Sequence, residues 1–136
     1  MGNTALAVAG DAASLTQHES LTKDFFKAWE RYDENAIVGA FAEDAVYHNI
    51  PYKPVSGRDN IRKAVQRFLK TGENMTFDLR KLIIAGDSVV TERVDGWTHK
   101  GEARSLPVMG ILEFDRNGKI SSWREYFDVK TFEGAG

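Results

Sequence analysis

The residue types best suited to acid–base chemistry lie on one predicted strand and in one later segment. The strand runs from Val90 to Trp97, and because side chains alternate between strand faces, Arg93, Asp95 and Trp97 point the same way. An arginine and an aspartate on a buried face need a partner, since an unpaired charge is costly to desolvate. Asp128 supplies a second carboxylate further along the chain. We therefore predict that Arg93 lies between Asp95 and Asp128 at the bottom of an apolar cavity.

A second pair of polar residues precedes this strand. Tyr47 and Asn49 are two positions apart on another predicted strand, so they share a face. A phenol and an amide on a cavity wall can hold a water molecule between them. With a carboxylate beside it, that water would be a positioned nucleophile.

Each of these patterns also has a plainer structural explanation. Arg93 and Asp95 could form a charge pair on the surface of the sheet. Asp128 could be the N-cap of a short helical turn that begins with the next residue. Tyr47 and Asn49 could lie at a strand end and bond only to the backbone. The residues alone leave these alternatives open.

The elements that must position these side chains follow from the hydrophobic period. Apolar residues recur at helical spacing over residues 16–32, and Thr16 with Glu19 has the spacing of a capping box. Asp33 can cap a short second helix, and a third helix is predicted between Ser56-Gly57 and Gly72. A strand is predicted from residue 45 to residue 50.

After Asn74 the hydrophobic period changes from 3.6 to 2, which predicts strands at residues 75–85, 88–98, 104–115 and 118–128. Glycine-containing turns separate them, at Gly86-Asp87, Lys100-Gly101 and Asn117-Gly118. Helices followed by an antiparallel meander indicate an α+β fold. We expect a curved, mostly antiparallel sheet wrapped around a cavity that three to four helices close. Residues 1–14 are predicted to be a flexible tail, and residues 15–136 a single domain.

Composition excludes several classes of protein. At 136 residues the chain has room for one core, and its net charge of −2 gives no support for binding nucleic acid or an anionic membrane. It has no cysteine, so thiolate metal sites and cysteine catalysis are excluded. The three histidines show no metal-ligand spacing, and no cofactor motif is present. No apolar run is long enough to span a membrane, and we expect a cytoplasmic protein that needs neither metal nor organic cofactor.

Several short motifs, in order along most of the chain, resemble the limonene-1,2-epoxide hydrolase family. The motifs are Tyr47-His48-Asn49, Gly57-Arg58-Asp59, Thr91-Glu92-Arg93-Val94-Asp95 and Trp123-Arg124-Glu125-Tyr126-Phe127-Asp128. The resemblance implies a cystatin-like α+β cone that forms a homodimer. It also implies an enzyme that adds water to an epoxide and releases a vicinal diol, without a covalent intermediate.

The resemblance also implies a role for each matching residue. Asp128 stands at the position of the general base, Asp95 at that of the general acid, and Arg93 at that of the arginine between them. Tyr47 and Asn49 stand at the positions that help to hold the attacking water. The substrate and water are the only partners that we expect besides a second copy of the chain.

The pocket wall is predicted from hydrophobic period and from closeness to these strands, and its candidates are Trp29, Trp97, Leu106, Val108 and Phe132. Each of them could equally be ordinary core. A mainly apolar pocket favours a hydrophobic epoxide, cyclic or terpenoid. Two other functions remain open, because the same fold hosts unrelated activities. One is an isomerase or cyclase with a single carboxylate base, and the other is a non-catalytic module that binds a small molecule.

Overall fold

The computed structural model describes residues 5–9 and 12–134. Its helices are α1 (Ala12–Glu30), α2 (Glu34–Gly39), α3 (Arg58–Thr71) and α4 (Val129–Phe132). Its strands are β1 (Ala5–Ala9), β2 (Phe41–Asn49), β3 (Val55–Ser56), β4 (Glu73–Ala85), β5 (Ser88–His99), β6 (Glu102–Phe114) and β7 (Ile120–Tyr126). None of the helices within these ranges is long and apolar enough to cross a membrane.

The strands form one curved sheet in the order β1-β4-β5-β6-β7-β2-β3. From β4 to β7 neighbouring strands are antiparallel, whereas β2 runs parallel to β7 and β1 runs parallel to β4. Helices cover the inner face of the sheet, and α1 packs along β4. The predicted α+β architecture, a curved and mostly antiparallel sheet closed by helices around a cavity, is confirmed.

The helices form where their apolar residues recur on one side. In α1 the buried residues include Phe25, Phe26 and Trp29, which point into the core beneath the sheet. Asp33 caps α2, because its Oδ1 accepts a hydrogen bond from the backbone N–H of Ala36 at 3.1 Å. The predicted capping box at Thr16 is wrong. Thr16 lies inside α1, and its hydroxyl donates to the carbonyl of Ala12 one turn earlier.

The hairpin turns lie where glycine predicted them. Lys100 and Gly101 both have positive φ, 51° and 80°, which matches a tight turn between β5 and β6. The connection from β6 to β7 is longer than a two-residue turn. There the Asp115 carboxylate accepts hydrogen bonds from the backbone N–H groups of Asn117 and Lys119, at 2.8 and 2.9 Å.

The N-terminal segment differs from the predicted tail. Residues 5–9 form β1, which pairs in parallel with the second half of β4, and α1 already begins at Ala12. This segment joins the edge of the sheet, where a short strand needs only one neighbour for its hydrogen bonds. The remaining part of the predicted tail, residues 1–4, 10 and 11, lies outside the described residues.

Candidate active site

The Arg93 side chain is fully buried and uses all of its N–H groups. Its Nε and Nη2 donate to the two carboxylate oxygens of Asp95, at 2.9 and 2.8 Å. Its Nη1 donates to Thr91 Oγ1 at 2.9 Å and to Glu125 Oε2 at 3.0 Å, and its Nη2 also donates to Glu125 Oε1. A guanidinium has five N–H donors, so this arrangement satisfies every one of them. The surface charge pair left open by the sequence is therefore ruled out.

Strand register explains how these groups meet. Thr91, Arg93 and Asp95 alternate along one face of β5, while Glu125 lies on β7 with β6 between them. The long arginine side chain spans the intervening strand. Its Cζ lies 4.5 Å from the centroid of the Phe26 ring, so helix α1 covers the guanidinium from above.

Asp128 does not lie in this cluster, and that part of the prediction needs correction. It is exposed, beyond the end of β7, and caps α4 by accepting a hydrogen bond from the backbone N–H of Lys130 at 2.9 Å. Glu125 is the second carboxylate at Arg93. The alternation rule identifies it in hindsight, because Glu125 shares the inward face of β7 with the buried Trp123.

Tyr47 and Asn49 lie beside that second carboxylate. Because β2 pairs with β7 in parallel, Tyr47 is opposite Trp123 and Asn49 is opposite Glu125. The Tyr47 ring stacks on the Trp123 indole, with 4.4 Å between the ring centroids. The side chains of Tyr47 and Asn49 both line a cavity, and Asn49 is also the last residue of β2.

The cavity has a volume of about 320 Å³ and is mostly apolar. Its polar floor is formed by Asp95, Glu125, Asn49 and Tyr47. All five side chains predicted for the pocket wall line it, namely Trp29, Trp97, Leu106, Val108 and Phe132. Such a volume is near the lower limit of ligand pockets, which suits a compact ligand.

Burial and the charges of neighbouring groups act in opposite directions on the pKa values of Glu125 and Arg93. Burial raises the pKa of the Glu125 carboxyl above its ordinary value, and the Arg93 guanidinium opposes that shift. Trp123 also favours the ionised carboxylate, although its buried indole N–H has no partner at hydrogen-bond geometry. Burial alone would lower the pKa of Arg93, but Glu125 and Asp95 raise it, so this residue stays charged. The pKa of the Tyr47 phenol is raised by burial and then by Glu125, so it stays protonated.

The mouth of the cavity is closed partly by α4. The Tyr52 hydroxyl donates to Glu133 Oε2 at 2.6 Å, which joins the loop after β2 to the end of α4. This bond raises the pKa of Tyr52 to about 12. The Phe132 ring packs against Tyr52 and Trp97, with centroid distances of 6.1 and 6.0 Å.

No cluster of metal-ligating side chains occurs within the part of the chain that the structure describes. His18, His48 and His99 each lie near a backbone carbonyl, those of Gly86, Tyr52 and Thr71. The floor of the cavity presents two carboxyl groups, a phenol and an amide, and the carboxyl groups and the phenol can take up or release protons.

Two epoxide hydrolases are similar to this chain, one in sequence and one in its solved structure. Epoxide hydrolase EphG of Mycobacterium tuberculosis (strain ATCC 25618 / H37Rv) is 27% identical over 105 residues, which cover 77% of this chain and 69% of that protein. The structure of an LEH-like epoxide hydrolase from M. tuberculosis matches with a TM-score of 0.77 and 26% identity, over 88% of this chain and 89% of that one.

A second solved structure shares the fold. A protein with a ketosteroid isomerase-like fold from Catenulispora acidiphila DSM 44928, in complex with trimethylamine, matches with a TM-score of 0.74 and 26% identity. The match covers 82% of this chain and 87% of that one. The predicted resemblance to the limonene-1,2-epoxide hydrolase family is thus confirmed by relatives of that type. Residues 22–123 match the SnoaL-like domain, which is three quarters of the sequence, and the chain belongs to the SnoaL-like domain family.

Proposed function

We propose that this protein is an epoxide hydrolase that adds water to an apolar epoxide and releases a vicinal diol. The observation that carries the proposal is the buried Arg93, which binds the carboxyl groups of Asp95 and Glu125 on the floor of an apolar cavity. Two carboxyl groups held by one arginine can supply a base and an acid at the same time. Ring opening of an epoxide needs both, because one carbon is attacked while the oxygen takes up a proton.

Glu125 is the proposed general base, in the role that the sequence resemblance gave to Asp128. Asn49 is its register partner on β2, and Tyr47 lines the same cavity, so a water molecule between these three side chains would be fixed for attack. Burial raises the pKa of Glu125, and a carboxylate with a higher pKa is a better acceptor for the proton of that water.

Asp95 is the proposed general acid. One positive guanidinium between two carboxyl groups leaves the buried site neutral when the pair retains one proton. Asp95 gives this proton to the epoxide oxygen as the carbon–oxygen bond breaks. At the same time the hydroxyl oxygen of water bonds to the carbon, and Glu125 takes the released proton. One proton then lies on Glu125 instead of Asp95, and its transfer between the two carboxyl groups restores the site.

An isomerase or cyclase of the same fold is the alternative function. Such an enzyme needs a single carboxylate base, so it gives no reason to bury a second carboxyl group against Arg93. A non-catalytic binding module needs neither carboxyl group. The two carboxyl groups on one guanidinium therefore favour hydrolysis over both.

Incubation with limonene oxide and cyclohexene oxide, in water enriched in the heavy oxygen isotope, tests the proposal. We expect a diol that carries one labelled oxygen, loss of turnover in Glu125→Gln, and near-parent turnover in Asp128→Asn. Each variant replaces one carboxyl group with its amide, and the two positions are three residues apart, so Asp128→Asn is the matched control for Glu125→Gln. Product without label would indicate isomerisation, and binding without turnover would indicate a binding module.

The partners proposed are a hydrophobic epoxide, cyclic or terpenoid, and a second copy of the chain. For the epoxide, the support is the apolar wall of the cavity. For the homodimer, it is the outer face of the sheet, where Met109 and Tyr126 are register partners and 45% and 48% exposed. Light scattering at micromolar concentration measures the mass, and a monomer would refute the dimer.

A further inference from the structure

Gly110 lies on β6, directly between the residues that hold Arg93. Its register partner on β5 is Thr91, and its register partner on β7 is Glu125. The Arg93 side chain and the Glu125 carboxylate meet over this position. A Cβ atom placed on Gly110 would lie 1.9 Å from Glu125 Oε2, 3.1 Å from Glu125 Cδ and 3.0 Å from Arg93 Nη1.

Backbone conformation does not explain this glycine. Gly110 is not among the described residues with positive φ, so an alanine could adopt its backbone angles. Glycine in the interior of a strand weakens the strand, because it adds disorder to the unfolded chain and has no side chain to pack. The other inward positions of β6 carry large apolar residues, which are Leu106, Val108, Leu112 and Phe114. Only at Gly110 does the inner face of this strand leave a gap.

The gap is filled by the carboxylate of Glu125. A glutamate side chain is one methylene longer than an aspartate, and here it folds across the neighbouring strand to present both oxygens to Arg93. A methyl group at position 110 would occupy the place of Oε2. Neither partner could move away easily, because the Glu125 side chain is 6% exposed and the Arg93 side chain is 0% exposed.

We propose that Gly110 is a positioning residue, which leaves the space in which the Glu125 carboxylate lies against Arg93 and faces the attacking water. The inference rests on the proposed function for its catalytic part. Its steric part, the dependence of the Arg93–Glu125 contact on an absent side chain, stands independently of any activity.

A double-mutant cycle on stability tests the steric part. The variants are Gly110→Ala, Glu125→Asp and the double variant, and Gly39→Ala is the matched control because a Cβ there meets nothing within 4 Å. We expect Gly110→Ala to lower the Tm by roughly 3–8 °C in the parent background and by less than half as much in the Glu125→Asp background, whose shorter side chain withdraws from the gap. Gly39→Ala should not lower the Tm. Equal losses in both backgrounds would overturn the proposal.

Turnover of the same four proteins tests the catalytic part. In the parent background we expect Gly110→Ala to lower kcat by about 100-fold with little change in KM. In the Glu125→Asp background the same substitution should lower kcat by no more than about tenfold. The acid limb of the pH profile of kcat/KM should move to higher pH in Gly110→Ala, because the carboxylate loses contact with the guanidinium that favours its ionised form. If Gly110 had only a structural role, the acid limb of the pH profile would not move in Gly110→Ala. An unchanged acid limb would therefore overturn the positioning role. If the parent itself makes no diol, the proposed function fails, and the stability cycle alone decides whether Gly110 positions Glu125.

Discussion

Arg93 and Glu125 are joined by two hydrogen bonds although they lie on strands that are not neighbours. The guanidinium crosses β6 to reach the carboxylate, so one side chain connects three strands on the inner face of the sheet. Such a buried ionic set gives little net stability compared with apolar packing, and losing one member leaves the others uncompensated. Its presence in the core is better explained by chemistry than by folding.

Removal of the guanidinium should destabilise the fold strongly. In Arg93→Met the buried Glu125 and the partly buried Asp95 lose the guanidinium that pairs with both of them, and we expect the free energy of unfolding to fall by about 3–5 kcal/mol. Arg80→Met is the matched control, because the Arg80–Asp78 pair is exposed, and it should cost no more than about 0.5 kcal/mol. Urea unfolding followed by circular dichroism measures both. Similar losses in the two variants would contradict the buried pairing.

Stability should depend on pH through Glu125. Its pKa is higher in the folded protein than its ordinary value of 4.5, so the folded state holds this proton more tightly than the unfolded chain does. The stabilising contribution is full below pH 4.5 and is lost as the pH rises through the folded-state pKa. The parent should therefore lose free energy of unfolding relative to Glu125→Gln as the pH rises above 4.5. A parent that gains stability over the variant as pH rises would be inconsistent with a raised pKa.

Asn49 should matter for rate and little for affinity. If it holds the attacking water beside Glu125, then Asn49→Ala should lower kcat by about 10- to 100-fold and change KM by less than about threefold. Steady-state kinetics on cyclohexene oxide give both values, and the Tm shows whether the variant remains folded. A rise in KM at unchanged kcat would instead make Asn49 a substrate contact.

Trp97 should set the size of the accepted epoxide. It lines the cavity wall and packs near Phe132, so Trp97→Ala enlarges the cavity on one side. We expect the ratio of kcat/KM for a bulky epoxide to that for cyclohexene oxide to rise by about tenfold. Tyr126→Ala truncates an aromatic residue on the outer face and should leave this ratio unchanged. Equal ratios in the two variants would place Trp97 outside the binding site.

Alternation along β5 was enough to predict that Arg93 and Asp95 share a buried face, and glycine turns were enough to predict the meander. The same alternation along β7, counted from Trp123, places Glu125 inside and leaves Asp128 beyond the strand end. The motif resemblance pointed to Asp128, whereas the second carboxyl group at Arg93 is that of Glu125, three residues earlier in the same short segment. The residues that lie opposite Gly110 on β5 and β7 are set by strand pairing, which the sequence does not show. From the sequence alone, Gly110 is only a glycine that weakens a predicted strand. Strand β1 was not predicted because Leu6 and Val8 alternate with alanine over only five residues, a pattern too short to indicate a strand.

The parallel pairing of β2 with β7 has a consequence for how the protein acquires its site. Asn49 and Glu125 are register partners, yet more than half of the sequence separates them. No local hairpin or helix can bring the two residues together, and the loop between them must close before either benefits from the contact. The proposed site can therefore form only after distant parts of the chain have paired. Catalytic activity should then require a completely folded chain, and a partly folded or truncated chain should have none.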